Sequence, residues 1–438
     1  MKIVATPVKG LLKLMQDSRM GGVLLLGSAL LSIYLVNSSH ASTFHHLLES
    51  ELGISFGSNG FSKSLHHWIN DGLMAIFFFV VGLELKREII AGELSDIRKA
   101  MLPVAAAVGG MVVPALIYVL FNGSGAGSAG WGIPMATDIA FALGVLQLLG
   151  NRVPVSLKVF LTALAVADDI GAVLVIAFFY TSQIDFTSLI VAAVILTVMM
   201  AANRMGVRNT TFFAIMGFGA LWFAFLLSGV HPTIAAVLAA FTVPANVKLP
   251  EDAYVRNMDA LMSRYKEAQP NGKPTVTDEQ LYVLEDIRSA SLQALTPLQR
   301  LEHSLHPFVT FFVMPVFALC NAGFEINEGI THGWSNPVSL GVFLGLVLGK
   351  LIGVSGMVWL FYKLKWSPLP SGMNLQHVVG AGLLAGIGFT MSLFVSGLAF
   401  TDVTLMEHAK LGIVAASLCS GVAGLLVLRK ATMQEKAE

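Results

Sequence analysis

Apolar runs long enough to cross a bilayer recur along this 438-residue chain, and the charged residues lie almost entirely between them. A helix needs about 20 largely apolar residues to span the hydrocarbon layer, within a range of roughly 17–25. The runs predict twelve spans, over 20–37, 69–85, 101–121, 131–150, 156–180, 186–203, 211–228, 231–246, 304–322, 338–361, 377–400 and 409–428, of which the eighth is short. Charged residues make up 12% of the chain, about half the ~25% of a soluble domain. A large soluble core does not account for that deficit. The fold class read from this pattern is an all-α polytopic membrane protein surrounded by lipid. With 27 basic and 27 acidic residues, no nucleic-acid partner is indicated.

Loop charges set the orientation, because cytoplasmic loops retain Lys and Arg. With the N-terminus inside, 24 of the 27 basic residues fall in inside segments, leaving Lys63, Lys410 and the deeply placed Lys350. Shifting the count by one helix destroys the alternation, so both termini are expected on the cytoplasmic side. Lys2, Lys9, Lys13 and Arg19 before the first run, with Ser39-His40-Ala41 after it, also fit a signal peptide. The length of the run and the many spans behind it favour an uncleaved first helix.

The whole chain, 1–438, reads as a single membrane domain with two notable loops. Residues 247–303 are polar, mixed in charge and broken at Pro270-Asn271-Gly272, as expected of a partly helical cytoplasmic linker. In the external loop 38–68, Ile54-Ser55-Phe56 and Phe61 flank Gly57-Ser58-Asn59-Gly60, which fits either a short β-hairpin or an irregular loop. Cys320 and Cys419 sit in apolar runs and read as small buried hydrophobes. The histidines show no metal-ligand spacing.

Spans three to five and ten to twelve can form two units of opposite topology. The middle span of each is interrupted, by Gly132 and Pro134 in the fourth and by Gly380, Gly382, Gly386 and Gly388 in the eleventh. Paired interruptions of this kind mark a transporter binding site at a repeat interface.

A charge at the centre of a membrane helix costs about 2.5–3.5 kcal/mol on insertion scales. Asp138, Asp168, Asp169 and Lys350 nevertheless stand inside spans. Asp168 and Asp169 are adjacent in the fifth, about 100° apart around the helix. They can bracket one cavity, and carboxylate oxygens suit a hard cation. A carboxylate that holds either a cation or a proton is sufficient for exchange in a carrier that opens alternately to each face. A purely structural pair is the other reading. Lys350 needs a counter-charge, either Asp168 or Asp169. Asp138 either neutralises half-helix N-termini or caps the second half of the fourth span, with Thr137 adding oxygen ligands.

A second group lies at the cytoplasmic face. Glu84 and Arg87 end the second span, and Glu302, His303 and His306 begin the ninth. They read either as a pH-responsive funnel or as solvated helix ends. Asp71 is expected to cap or orient the second span. His231, at the external start of the eighth, is grouped with the pH-responsive residues.

These residues fall into motifs. Trp68-Ile69-Asn70-Asp71, Val81 to Glu88, Ala136 to Gly144, Asp168-Asp169, Ser228 to His231, Leu301-Glu302-His303, Leu348-Gly349-Lys350 and Gly386 to Ser392 together resemble the NhaA-type bacterial Na⁺/H⁺ antiporters, over nearly the whole chain. That family is itself a known case of inverted repeats with broken helices, so repeat pattern and resemblance are one observation. The resemblance implies twelve transmembrane helices with two interrupted, crossing helices, Asp169 as the main cation ligand, Asp168 paired with Lys350, and Asp138 and Thr137 at the crossing. It implies a pH-responsive region at Glu84, Arg87, Glu302, His303 and His306, and a homodimer supported by the external hairpin. The expected activity is electrogenic exchange of cytoplasmic Na⁺ or Li⁺ for external protons across the bacterial inner membrane, with no cofactor, no organic substrate and lipid as surroundings. The 247–303 loop departs from the family by its length. The alternative is a sodium-coupled solute symporter of similar fold. A channel would lack obligatory proton coupling, and an intramembrane aspartyl protease would need its two Asp on separate helices.

Overall fold

The computed structural model describes residues 18–56, 59–181, 184–268, 275–326 and 330–434. Lys2, Lys9, Lys13, Lys273, Lys436, the Pro270-Asn271-Gly272 break and the Gly57-Ser58 tip lie outside them.

The first span is α1 (Ser18–Val36), after which α2 (Ala41–Glu49) turns away by 111°. The external loop then forms a hairpin. Strands β1 (Glu51–Phe56) and β2 (Asn59–Ser64) pair antiparallel, with Ile54 opposite Phe61. The irregular-loop alternative is therefore set aside. Next come α3 (Met74–Ala91) and α4 (Ile97–Asn122), the latter capped by Asp96, which accepts from Arg98 N–H at 2.9 Å. The fourth span consists of a tight 3-10 stretch, Ala126–Met135, and α5 (Ile139–Leu148). The chain continues through α6 (Val155–Phe179), α7 (Phe186–Arg204), α8 (Trp222–Ser228) and the short α9 (Pro232–Thr242).

The long polar loop folds into α10 (Glu251–Glu267) and α11 (Asp278–Ala294), which share a small core of Leu261, Val283 and Ala290. Helices α12 (Pro297–Phe308) and α13 (Met314–Asn321) form the ninth span, and α14 (Pro337–Leu344) and α15 (Lys350–Lys363) the tenth. The eleventh is α16 (Leu375–Ala385) and α17 (Phe389–Ala399), and α18 (Val403–Gln434) is the last.

Every expected span thus lies on helix. Among the described residues, seven helical segments are long and apolar enough to cross a membrane, and the two interrupted spans are each bent by 44° at their breaks. Four spans carry one widened, π-type turn, at Trp68–Leu73, Ile215–Leu221, Val309–Val313 and Gly345–Gly349. Such turns re-aim the side chains around them and recur at functional sites. The last one ends immediately before Lys350. The cysteine expectation needs correction. Both are free thiols, but Cys419 is exposed, because α18 presents that face outward, while Cys320 is partly buried.

Helices α4 and α15 approach to backbone contact beside Lys350. A Cβ on Gly353 would lie 2.1 Å from the carbonyl oxygen of Gly109, and one on Gly109 2.3 Å from that of Gly353. Small residues allow such approach where no hydrophobic force drives helices together in lipid. Gly353→Ala is expected to cost roughly 1–3 kcal/mol by overpacking, seen as a lower melting temperature of the purified protein. An unchanged melt would mean that the two helices part without strain.

Candidate ion-binding site

The two interruptions face each other. Backbone N–H of Asp138 donates to the carbonyl of Ile387 at 2.7 Å, and the hydroxyl of Thr137 donates to the carbonyl of Ala385 at 2.8 Å. Ser392 donates to the carbonyl of Ile133 at 2.8 Å. Each break leaves backbone groups that the helices do not satisfy, and the partner chain segment takes them up. Glycine is needed here. A Cβ on Gly388 would stand 2.9 Å from the carbonyl oxygen of Ala136.

Asp138 serves both half-helices. One carboxylate oxygen accepts from Phe141 N–H at 3.0 Å, capping α5. The other accepts from Thr390 N–H at 3.1 Å and from the Thr390 hydroxyl, in the first turn of α17. Two positive helix ends meet one buried negative charge. The two readings of Asp138 from the sequence, neutraliser and cap, are the same interaction.

Asp168, Asp169 and Lys350 are only 2%, 2% and 1% exposed. Lys350 Nζ donates to an oxygen of Asp168 at 2.7 Å, which resolves the open choice of its partner. Thr137 also neighbours Asp168. Asp169 differs. Each of the two carboxylates keeps one buried oxygen without a hydrogen-bond partner, but Asp169 has no cation paired with it among the described residues. It borders a cavity of about 260 Å³ that Thr137 and Asp138 also line, and that reaches Glu84, Arg87, Glu302 and His306. A helical i, i+1 pair therefore does two things. Asp168 faces α15 and is neutralised there, while Asp169 faces the cavity and is not.

At the far end of that cavity Arg87 donates to Glu302 and, at 3.0 Å, to Glu88, fastening α3 to α12. His303 is exposed and is not among the lining residues. His231 is on the other side of the molecule. Its Nε2 stands 3.7 Å from Asp71, which also pairs with His67 at 3.1 Å, and the Asp71 carbonyl accepts from the Trp222 indole at 3.2 Å. Asp71 therefore lies inside the widened turn and ties the second span to α8 and α9, orienting the span rather than capping it. Among the described residues no cluster of three or more His, Cys, Asp or Glu could hold a metal ion. Thr390 stands in the Gly386 to Ser392 motif, but the sequence assigns it no role at the site. The Gly386–Gly388 interruption just before it was the available signal.

The model of the family described as Na⁺/H⁺ antiporter 1 matches residues 12–428. The chain belongs to this family. Among similar proteins are the Na⁺/H⁺ antiporters NhaA of Oleidesulfovibrio alaskensis, 48% identical over 93% of this chain and 91% of that protein, and of Acidithiobacillus ferrooxidans, 48% identical over 93% and 94%. The Na⁺/H⁺ antiporter NhaA 2 of Syntrophotalea carbinolica is 47% identical over 95% of each. As a member of the Na⁺/H⁺ antiporter 1 family the chain is a multi-pass membrane protein with crossed, interrupted helices at its centre.

Proposed function

We propose that this protein is a secondary transporter, not an enzyme, that exchanges cytoplasmic Na⁺ or Li⁺ for external protons. The observation that carries this is Asp169, a buried carboxylate with no paired cation among the described residues, which borders, with Asp138 and Thr137, a cavity reaching Glu84 and Glu302. A hard cation takes oxygen ligands, and Asp169, Asp138 and Thr137 offer them at one place. A proton on Asp169 and a cation beside it exclude each other by charge, which gives exchange. Asp168 releases its partner Lys350 or holds it as the site loads. If that pair also gives up a proton, more than one proton moves per cation and transport is electrogenic. The bacterial inner membrane, both termini cytoplasmic, fits the distribution of Lys and Arg, and the exposed ends of the β1–β2 hairpin fit a homodimer contact. A sodium–solute symporter would couple its sodium uptake to an organic solute bound at the crossing; the four carboxylates of Glu84, Asp138, Asp169 and Glu302 around the cavity fit cation and proton exchange instead.

In proteoliposomes, an imposed Na⁺ gradient is expected to drive protons the opposite way without any organic solute, faster when valinomycin and K⁺ collapse the membrane potential. Sodium uptake that depends on an added solute would favour the symporter.

The Arg87–Glu302 contact supports pH control at the mouth. Glu302→Gln leaves Arg87 less compensated, close to Glu84 and the acidic cavity. Additional positive charge favours ionised carboxylates. The rise of exchange with pH is expected to move toward acidic pH by about half to one unit. A profile that does not move would leave the contact a structural tie between α3 and α12.

A further inference from the structure

The α10–α11 hairpin has no part in the ion site, yet its α11 borders a second, open cleft of about 440 Å³ shared with residues of the membrane bundle. Four basic residues from four separate stretches line it. Arg208 comes from the loop before the seventh span, Lys248 from the chain leaving the eighth, Arg288 from α11 and Arg300 from α12. Glu285 is the one acidic residue in the lining. None of the four cations is in an ion pair among the described residues. Arg208 donates only to the carbonyl of Asn246. Partial burial, and then the charge of Arg300, lower its guanidinium from the ordinary value. Like charges gathered round a hollow repel, and an anion inside it turns that repulsion into attraction.

The remaining lining decides the kind of anion. Ser289 and Gln293 offer further polar groups, and Leu292 is the single apolar lining residue, so there is no slot for an acyl chain. Several phosphate groups, each able to take a bidentate arginine, match four cations in a hollow of this size.

We propose that this cleft binds a soluble polyphosphate anion, of the pyrophosphate or nucleotide class, which fastens the α10–α11 hairpin to the bundle. Without it the hairpin is held to the bundle side by backbone bonds from Lys248 and Leu249 to the carbonyl of Gln293, at 3.0 and 3.1 Å. The anion adds a bridge from Arg288 on the hairpin to Arg208 and Arg300 on the bundle. Arg300 is two residues before Glu302 on α12, so the bridge also steadies the mouth of the transport cavity. Binding itself does not depend on antiport, and each can fail without the other.

The test uses the full-length protein in nanodiscs of phosphatidylcholine, titrated with pyrophosphate by calorimetry and by thermal melting. Binding is expected, weaker at high salt, and reduced about tenfold or more by Arg288→Gln or Arg300→Gln, since each removes a charge-assisted contact. All these positions are at or near the surface, and size-exclusion profiles identify any variant that misfolds. In that case Lys248→Gln serves instead. The proposal is overturned if pyrophosphate gives neither heat nor a melting shift, or if the Arg288→Gln/Arg300→Gln variant binds it undiminished. Discs containing phosphatidylglycerol separate the two sources of phosphate. Binding that persists there supports the soluble anion. Binding that vanishes there assigns the four cations to a lipid headgroup and overturns the soluble occupant.

Discussion

Asp169→Asn is expected to abolish sodium-driven proton exchange while leaving the protein folded. Asparagine has almost the same volume and keeps an oxygen, so the packing of α6 survives. It loses the negative charge that attracts the cation and the site that takes the proton. In a buried site the loss of one charged ligand is worth about 3–4 kcal/mol, or a factor of roughly 10²–10³ in cation affinity. The proton-carrying group disappears with it, so raising the sodium concentration does not restore coupled transport. The measurement is Na⁺-dependent proton flux in proteoliposomes with an internal pH dye. Because Asp169 is in no ion pair among the described residues, no buried counter-charge is left stranded by the change, and the loss is one of function rather than of stability.

Lys350→Met is expected to show the opposite balance. Lys350 and Asp168 form an ion pair at 2.7 Å that is almost wholly shielded from solvent. Removing one partner of such a pair leaves a buried, uncompensated charge and costs about 3–5 kcal/mol. The melting temperature of the purified protein falls accordingly. The double variant Asp168→Asn/Lys350→Met removes both charges and is expected to regain most of that loss, because replacing both partners of a buried pair is often close to neutral. Strict additivity of the two single effects would contradict the pairing. Asp168→Asn alone strands the lysine, which can lose its proton, and so falls between these variants in stability.

The sequence carried much of this, for physical reasons that differ from place to place. Spans are legible because lipid demands long apolar helices and excludes charge. The two interruptions are legible because Gly and Pro are conspicuous inside such runs. Asp168 and Asp169 stand out for the same reason. Their division of labour is not legible, since an i, i+1 pair points two ways and only packing shows that α15 is on one side and the cavity on the other. Nor is the double role of Asp138, which depends on Thr390, 252 positions away. Asp71 and His231, on different spans, likewise meet only in the fold. The hairpin in the external loop was one of two readings, and pairing of Ile54 with Phe61 decided it. The basic cleft is hidden in the sequence because its four cations are ordinary inside-loop charges until α11 brings Arg288 beside Arg208, Lys248 and Arg300.

The most direct measurement is proton release from the purified, full-length protein on adding NaCl in weakly buffered detergent solution. Na⁺ is expected to displace protons from the wild-type protein, choline chloride at equal ionic strength is not, and Asp169→Asn is expected to release none. Release that persists undiminished in Asp169→Asn, or sodium binding with no proton released, would contradict cation–proton exchange at Asp169.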